Sequence, residues 1–161
     1  MSDIRIGQGY DVHKLAEGEA LILCGIKIDY HKGTIAHSDG DVAIHALCDA
    51  ILGALALGDI GQHFPDTSDK FKNIDSTILL TEVMKMINTH GYILGNADIT
   101  LALEEPKMRP YIMAMRARLA PLLGTDISRI SIKATTTEHL GFTGRGEGIA
   151  AYASVLLLER L

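Results

Sequence analysis

The chain has 161 residues, a formal net charge of -5, 47% hydrophobic residues and 22% charged residues. This length favours one domain with a substantial core, and the composition excludes a disordered chain, a collagen-like repeat and a disulfide scaffold. An acidic chain with no basic run is poorly suited to nucleic acid or an anionic membrane, so an anionic ligand would need local metal ions or backbone donors.

In chain order, Ile4, Ile6, Tyr10 and Val12 mark an opening strand loosened by Gly7 and Gly9. Leu21–Cys24 and Ile26–Ile28 read as short strands joined at Gly25, and His31-Lys32-Gly33 as a further turn. From about Gly40 to Leu57 the pattern is helical, with Ser38 or Asp39 as N-cap and Gly58 as the stop. Gly58 to Asn73 reads as a long loop, a kind of segment that is usually functional or mobile. Asp75 or Ser76 caps a second helix that ends at Gly91. Ala97, Ile99, Leu101 and Leu103 alternate as a strand. Pro110 opens a third helix running to about Leu123, which Pro121 bends or ends early. Ile130, Ile132 and Ala134 form another strand, a Thr- and Gly-rich loop follows, and Ile149–Leu158 closes the chain as a strand.

This order predicts an α+β fold: a mixed β-sheet with helices packed on one face. No linker or repeat divides the chain, so residues 1–161 read as a single domain. The closing strand is apolar on both sides, and the helices are too few to cover both faces. Subunits are therefore expected to pack sheet against sheet; a helix or loop over the second face is the alternative. Cys24 and Cys48 form no close-spaced metal motif and cannot frame this much chain, which points to a reducing compartment. The start lacks a secretory leader pattern, and the longest apolar stretch, Val42–Leu57, is interrupted by His45 and Asp49. The expectation is a soluble, cytoplasmic protein.

Two groups of residues carry chemistry. Asp11 and His13, two apart on a strand, point to the same side. Asp41, His45 and Asp49, spaced by four, line one face of an otherwise apolar helix, and such a polar stripe needs a partner. Two imidazoles and a carboxylate suit a divalent transition metal with an open position for substrate. A wet stripe on a surface helix is the plainer explanation. In the second group, Lys133-Ala134-Thr135-Thr136-Thr137-Glu138 ends a strand with three hydroxyls that suit phosphate oxygens. Glu138 suits a hard cation such as Mg²⁺ between two phosphates. Gly141 to Gly148 holds four glycines, and Arg145 adds a fixed cation. A simple Gly-rich turn is the alternative. His37-Ser38-Asp39 precedes the first long helix, where backbone N–H groups suit an anion or ordinary capping.

Taken together, Gly9-Tyr10-Asp11-Val12-His13, Ala36-His37-Ser38-Asp39-Gly40-Asp41-Val42, Leu57-Gly58-Asp59-Ile60-Gly61, Phe64-Pro65-Asp66-Thr67, Pro106-Lys107-Met108 and Lys133 through Gly148 resemble the 2-C-methyl-D-erythritol 2,4-cyclodiphosphate synthase family, in its stand-alone form. The resemblance runs from about Arg5 to the C-terminus. It implies that Asp11, His13 and His45 are ligands of one Zn²⁺, and that Glu138 holds a second divalent cation, Mg²⁺ or Mn²⁺. It implies transition-state stabilisation by His37 and Thr136. Asp59, Ile60 and Gly61, with Phe64, Pro65, Asp66, Thr67 and Ser68, match the loop around the methylerythritol group, and Ser38 is implied as a substrate-binding position. Pro106, Lys107 and Met108, with the run Thr135, Thr136, Thr137 and Glu138, match a cytidine diphosphate pocket. Phe142, Arg145 and Glu147 match a cavity on a trimer axis that holds an isoprenoid diphosphate in some members. Ser68 stands where the family often has Asp, with Asp69 next.

The resemblance further implies a homotrimer with active sites between subunits, the open sheet face turned toward the trimer axis, and neither nucleic acid nor membrane as partner. The implied reaction turns 4-diphosphocytidyl-2-C-methyl-D-erythritol 2-phosphate into the 2,4-cyclodiphosphate. The 2-phosphate attacks the β-phosphorus and CMP leaves. Two rivals stay open on the residues alone. One is a non-haem iron oxygenase, which usually carries His-x-Asp rather than the Asp-x-His found here. The other is a trimer that binds isoprenoid diphosphates without catalysis.

Overall fold

A computed structural model describes residues 3–161. The strands are β1 (Ile4–Glu17), β2 (Leu21–Leu23), β3 (Ile26–Ile28), β4 (Lys32–Ile35), β5 (Tyr92–Ala102), β6 (Ile130–Thr135) and β7 (Gly148–Glu159). The helices are α1 (Val42–Ala54), α2 (Ile60–His63), α3 (Ser76–Thr89), α4 (Ile112–Leu122) and α5 (Gly141–Gly144). Five strands form one sheet in the order β4-β1-β7-β5-β6, and β2 pairs with β3 as a separate hairpin. All pairs in the large sheet are antiparallel except β5 with β6, so the sheet is mixed, as expected.

The helices lie on one face: α1 against β1 and β7, α3 against α1 and β5, α4 against β6. α1 is wrapped on nearly every side, which explains its lack of a distinct apolar stripe: Val42, Ile44, Leu47, Ile51 and Leu52 are all fully buried. It can sit this close to the sheet because Gly7 and Gly9 of β1 face it without side chains. The opposite face of the sheet is open within the chain. Ile6 is 77% exposed, and Tyr10 and Tyr152, cross-strand partners with ring centroids 5.0 Å apart, are 49% and 45% exposed.

Several boundaries differ from the sequence reading. The N-cap of α1 is Asp41, whose carboxylate accepts from Ile44 N–H, and not Ser38 or Asp39. The turn expected at His31-Lys32-Gly33 is instead the start of β4, an edge strand paired with the end of β1. Gly33 fits there because Ala20 O lies where a side chain would be. The long loop after Gly58 contains α2 and a 3-10 turn at Asp69–Phe71. Pro110 lies in a 3-10 turn, Arg109–Tyr111, and α4 begins only at Ile112, with Pro121 in its last turn. The Gly-rich loop contains the short α5.

Candidate active site

Three polar side chains converge between β1 and α1. The Asp-x-His spacing on β1 turns Asp11 and His13 toward the helices, and His45, one turn into α1, meets them. His13 Nε2 lies 3.0 Å from His45 Nδ1, His45 Nδ1 3.2 Å from Asp11 Oδ2, and His13 Nε2 3.3 Å from Asp11 Oδ2. These separations match the edges of a tetrahedron around one ion. Bonds of about 2.0–2.1 Å place neighbouring ligands about 3.3 Å apart. The donor chemistry fits too, because two ring nitrogens and a carboxylate crowd together with few protons to share among them. Burial pushes the His13 imidazole below its usual pKa, which favours the neutral, metal-binding form. Burial also opposes charge on His45, yet the hydrogen bond and charge of Asp11 outweigh it and hold that pKa above the usual value.

The helix stripe divides in three directions. Asp41 is fully buried and turned away from His13, accepting from the N–H groups of Cys24, Gly25 and Ile44. Burial lifts its carboxyl to about 6. Asp49 does not orient His45; its carboxylate accepts from Ile60 N–H at 2.8 Å and so ties α2 to α1. Burial raises the Asp49 pKa. The far side of His45 is held by two hydroxyls, with Ser38 Oγ and Ser76 Oγ each 3.0 Å from Nε2.

A cleft of about 350 Å³ opens over the triad, and its wall includes His37, Ser38, Ile60, Gly61, Phe64 and Asp66. His37 Nε2 lies 3.2 Å from Ser68 O, so it donates to that carbonyl. Asp59 caps α2 by accepting from Gln62 N–H. Asp59, Pro65, Thr67 and Ser68 do not line the cleft.

The second group lies elsewhere. Lys107, Thr136, Glu138 and Arg145 border a separate cleft of about 510 Å³, which shares no wall residue with the first. Register explains the separation. Thr135 pairs with Ala102, Ala102 with Ala150, and Ala150 with Val12. Thr136 is therefore level with the triad but three strands away, roughly 14 Å. The Met108 side chain is buried in the core. The Thr137 hydroxyl is engaged with Leu140 O and Thr143 Oγ1, and the Thr135 hydroxyl with Thr136 O. Glu138 belongs to no group of potential metal ligands among the described residues. Arg145 Nε donates to Glu147 Oε1 at 2.8 Å, and Phe142 packs against Gly148.

Two residues that hold these loops gave no clear signal in the sequence. Glu104 accepts from Thr137 N–H at 2.8 Å and holds the loop that follows β6. Ser76 reads from its neighbours only as a possible helix cap, but the cap is Asp75 and Ser76 lies against His45.

The model of the YgbB family matches residues 4–158. The chain belongs to the YgbB family. Among its relatives, the 2-C-methyl-D-erythritol 2,4-cyclodiphosphate synthase of Geobacter metallireducens is 59% identical over 98% of this chain and 100% of its own. The bifunctional IspDF from Campylobacter jejuni superposes with a TM-score of 0.95 at 46% identity, covering 99% of this chain and 43% of that one. IspF from Plasmodium falciparum, solved as a CDP complex, superposes with a TM-score of 0.88 at 36% identity, covering 100% and 99% of the two chains. No helix among the described residues is long and apolar enough to cross a membrane.

Proposed function

We infer that this chain is a phosphorus–oxygen lyase of non-mevalonate isoprenoid biosynthesis. It converts 4-diphosphocytidyl-2-C-methyl-D-erythritol 2-phosphate to 2-C-methyl-D-erythritol 2,4-cyclodiphosphate and CMP, within one catalytic domain spanning residues 1–161. The observation that carries the reading is the meeting of Asp11, His13 and His45 at tetrahedral spacing beneath a cleft. The relative in Geobacter metallireducens is a synthase of that name, and the Plasmodium falciparum structure holds CDP.

The reaction brings two anions together. An oxygen of the 2-phosphate bonds to the β-phosphorus, the bond from that phosphorus to the bridging oxygen breaks, and CMP leaves with that oxygen. A Zn²⁺ ion held by Asp11, His13 and His45 supplies Lewis acidity at a phosphate oxygen when bound. His37 turns its Nε2–H from Ser68 O to an oxygen on which charge grows. Thr136 offers a hydroxyl whose only described contact is a long one, 3.4 Å from Glu138 N. Glu138 would hold a second cation, Mg²⁺ or Mn²⁺, with its carboxylate, and that cation would neutralise charge on the diphosphate. Ser38, Ile60, Gly61 and Asp66 border the methylerythritol side. The Pro106-Lys107-Met108 turn and the Thr135–Thr137 backbone border the cytidine side.

One chain cannot close the site, since Thr136 stands three strands from the triad. A homotrimer solves this by placing the β6 side of one protomer beside the β1 side of the next. The apolar open face carrying Ile6, Tyr10 and Tyr152 supports such packing around an axis. Phe142, Arg145 and Glu147 border a cavity on that axis that takes an isoprenoid diphosphate. The buried free thiols Cys24 and Cys48 support a cytoplasmic location. The test is CMP release from the cytidyl substrate by purified protein before and after metal chelation. Turnover that stops with chelation and returns with Zn²⁺ plus Mg²⁺ is expected; a protein inert under all metal conditions overturns the reading.

A further inference from the structure

We propose that Ser76 is a positioning residue for His45. It carries the hold of Asp39 to the imidazole Nε2 and thereby keeps Nδ1 presented to Asp11 and His13. The inference rests on the reading of that triad as a metal site.

The geometry is a chain of three groups. Ser76 is the first residue of α3 and is fully buried. Its hydroxyl donates to Asp39 Oδ1 at 2.5 Å, and its backbone N–H donates to Asp39 Oδ2 at 2.9 Å. Asp39 is itself fixed, because Oδ1 also accepts from Asp41 N–H and its own N–H donates to Ile74 O. An ionised carboxylate only accepts, so the single Ser76 hydroxyl proton is committed to it. What Ser76 turns toward His45 Nε2, 3.0 Å away, is then a lone pair. Nε2 must supply the proton of that contact. A neutral imidazole protonated at Nε2 has its other lone pair on Nδ1, the atom 3.0 Å from His13 Nε2 and 3.2 Å from Asp11 Oδ2.

Ser38 does not serve in the same way. Its oxygen also lies 3.0 Å from Nε2, but its described partner is the Gly40 N–H, which leaves the hydroxyl proton uncommitted. Ser38 accepts equally well from a protonated Nε2 or donates to a bare one. Only Ser76, pinned by a carboxylate, has a fixed sense. Groups that orient a ligating histidine through its second nitrogen commonly change metal affinity 10- to 100-fold when removed.

The experiment compares the parent with Ser76→Ala and Asp39→Asn. Zinc affinity is measured by competition with a coloured chelator, and the His45 Nε2–H signal is followed by ¹H–¹⁵N NMR in zinc-loaded protein. Ser76→Ala is expected to weaken zinc roughly 10- to 100-fold, shift the Nε2–H proton upfield and speed its exchange with water. Asp39→Asn sets an amide NH₂ against either the Ser76 hydroxyl or its backbone N–H. Against the hydroxyl it turns the serine proton toward Nε2, so zinc weakens at least as much. Should Ser76→Ala not fold, Asp39→Asn decides by the same readouts. Variants that bind zinc within about twofold of the parent, with the Nε2–H signal unmoved, overturn the inference and leave the triad intact. A parent that binds no zinc overturns the triad, and the role of Ser76 with it.

Discussion

Gly9 and Ala46 meet backbone to backbone: a methyl group on Gly9 would stand 1.8 Å from the Ala46 carbonyl oxygen. Gly7 makes the same approach to Ala50, at 1.9 Å. Because Gly9 precedes Asp11 by two residues and Ala46 follows His45, this contact sets the gap across which the triad closes. Gly9→Ala is expected to push α1 off β1 and to cost about 1–3 kcal/mol or more, as overpacking does, with zinc binding lost beyond that. Gly53→Ala is the control, since its nearest neighbour is Gln8 O at 4.0 Å. In α1 that change should stabilise by about 0.5–1 kcal/mol. Urea unfolding of metal-free protein and zinc titration measure both; equal midpoints for the two variants would contradict the close contact.

Removing one ligand should be more damaging to the metal than to the fold. His45→Ala deletes a nitrogen that faces both other ligands. The expected result is loss of bound zinc and of nearly all turnover, with the assembly unchanged in sedimentation. Full activity in the metal-depleted variant would refute the assignment.

The buried Asp41 makes a signed contribution to the pH dependence of stability. Its carboxyl lies at about 6 in the fold, against an ordinary value of 3.8, because burial outweighs the three N–H donors. Between those values the folded chain binds more protons than the unfolded one, so stability falls as pH rises. This contribution is fully present below about pH 4, is lost as pH passes about 6, and amounts to roughly 3 kcal/mol. Asp41→Asn has no such titration. The stability difference, parent minus variant, should therefore be largest near pH 4 and shrink toward neutrality in metal-free urea titrations. A difference that grows with pH would reverse the sign and reject burial as the cause.

The open sheet face predicts where assembly fails. Ile6→Glu, alone or with Tyr10→Glu, places charge on an apolar surface that the chain itself leaves bare. Analytical ultracentrifugation should show monomers that still bind zinc through the triad but no longer turn over substrate. Monomers with normal kcat would show that one chain holds a whole site.

The triad was legible in the sequence because strand and helix periodicities are local: Asp11 and His13 share a side by alternation, and His45 sits inside the expected helix even though that helix starts at Val42, capped by Asp41. The stripe of Asp41, His45 and Asp49 was misleading for the same reason. Equal spacing gives one helix face, but the partners on that face come from three distant segments, Cys24–Gly25, β1 and Ile60. Ser76 was beyond reach, since nothing local brings the start of α3 to His45. β4 escaped because a four-residue edge strand containing Gly33 has no alternation to read. The bare second face was foreseen from the apolar closing strand, and the single chain leaves it bare as that reading requires.

The three-strand gap between Thr136 and the triad has a genetic corollary. In the proposed trimer, each protomer would lend its triad side to one neighbour and its Thr136 side to the other. Mixing subunits lacking His45 with subunits lacking Thr136 would then restore intact junctions between them, so two dead alleles are expected to complement one another.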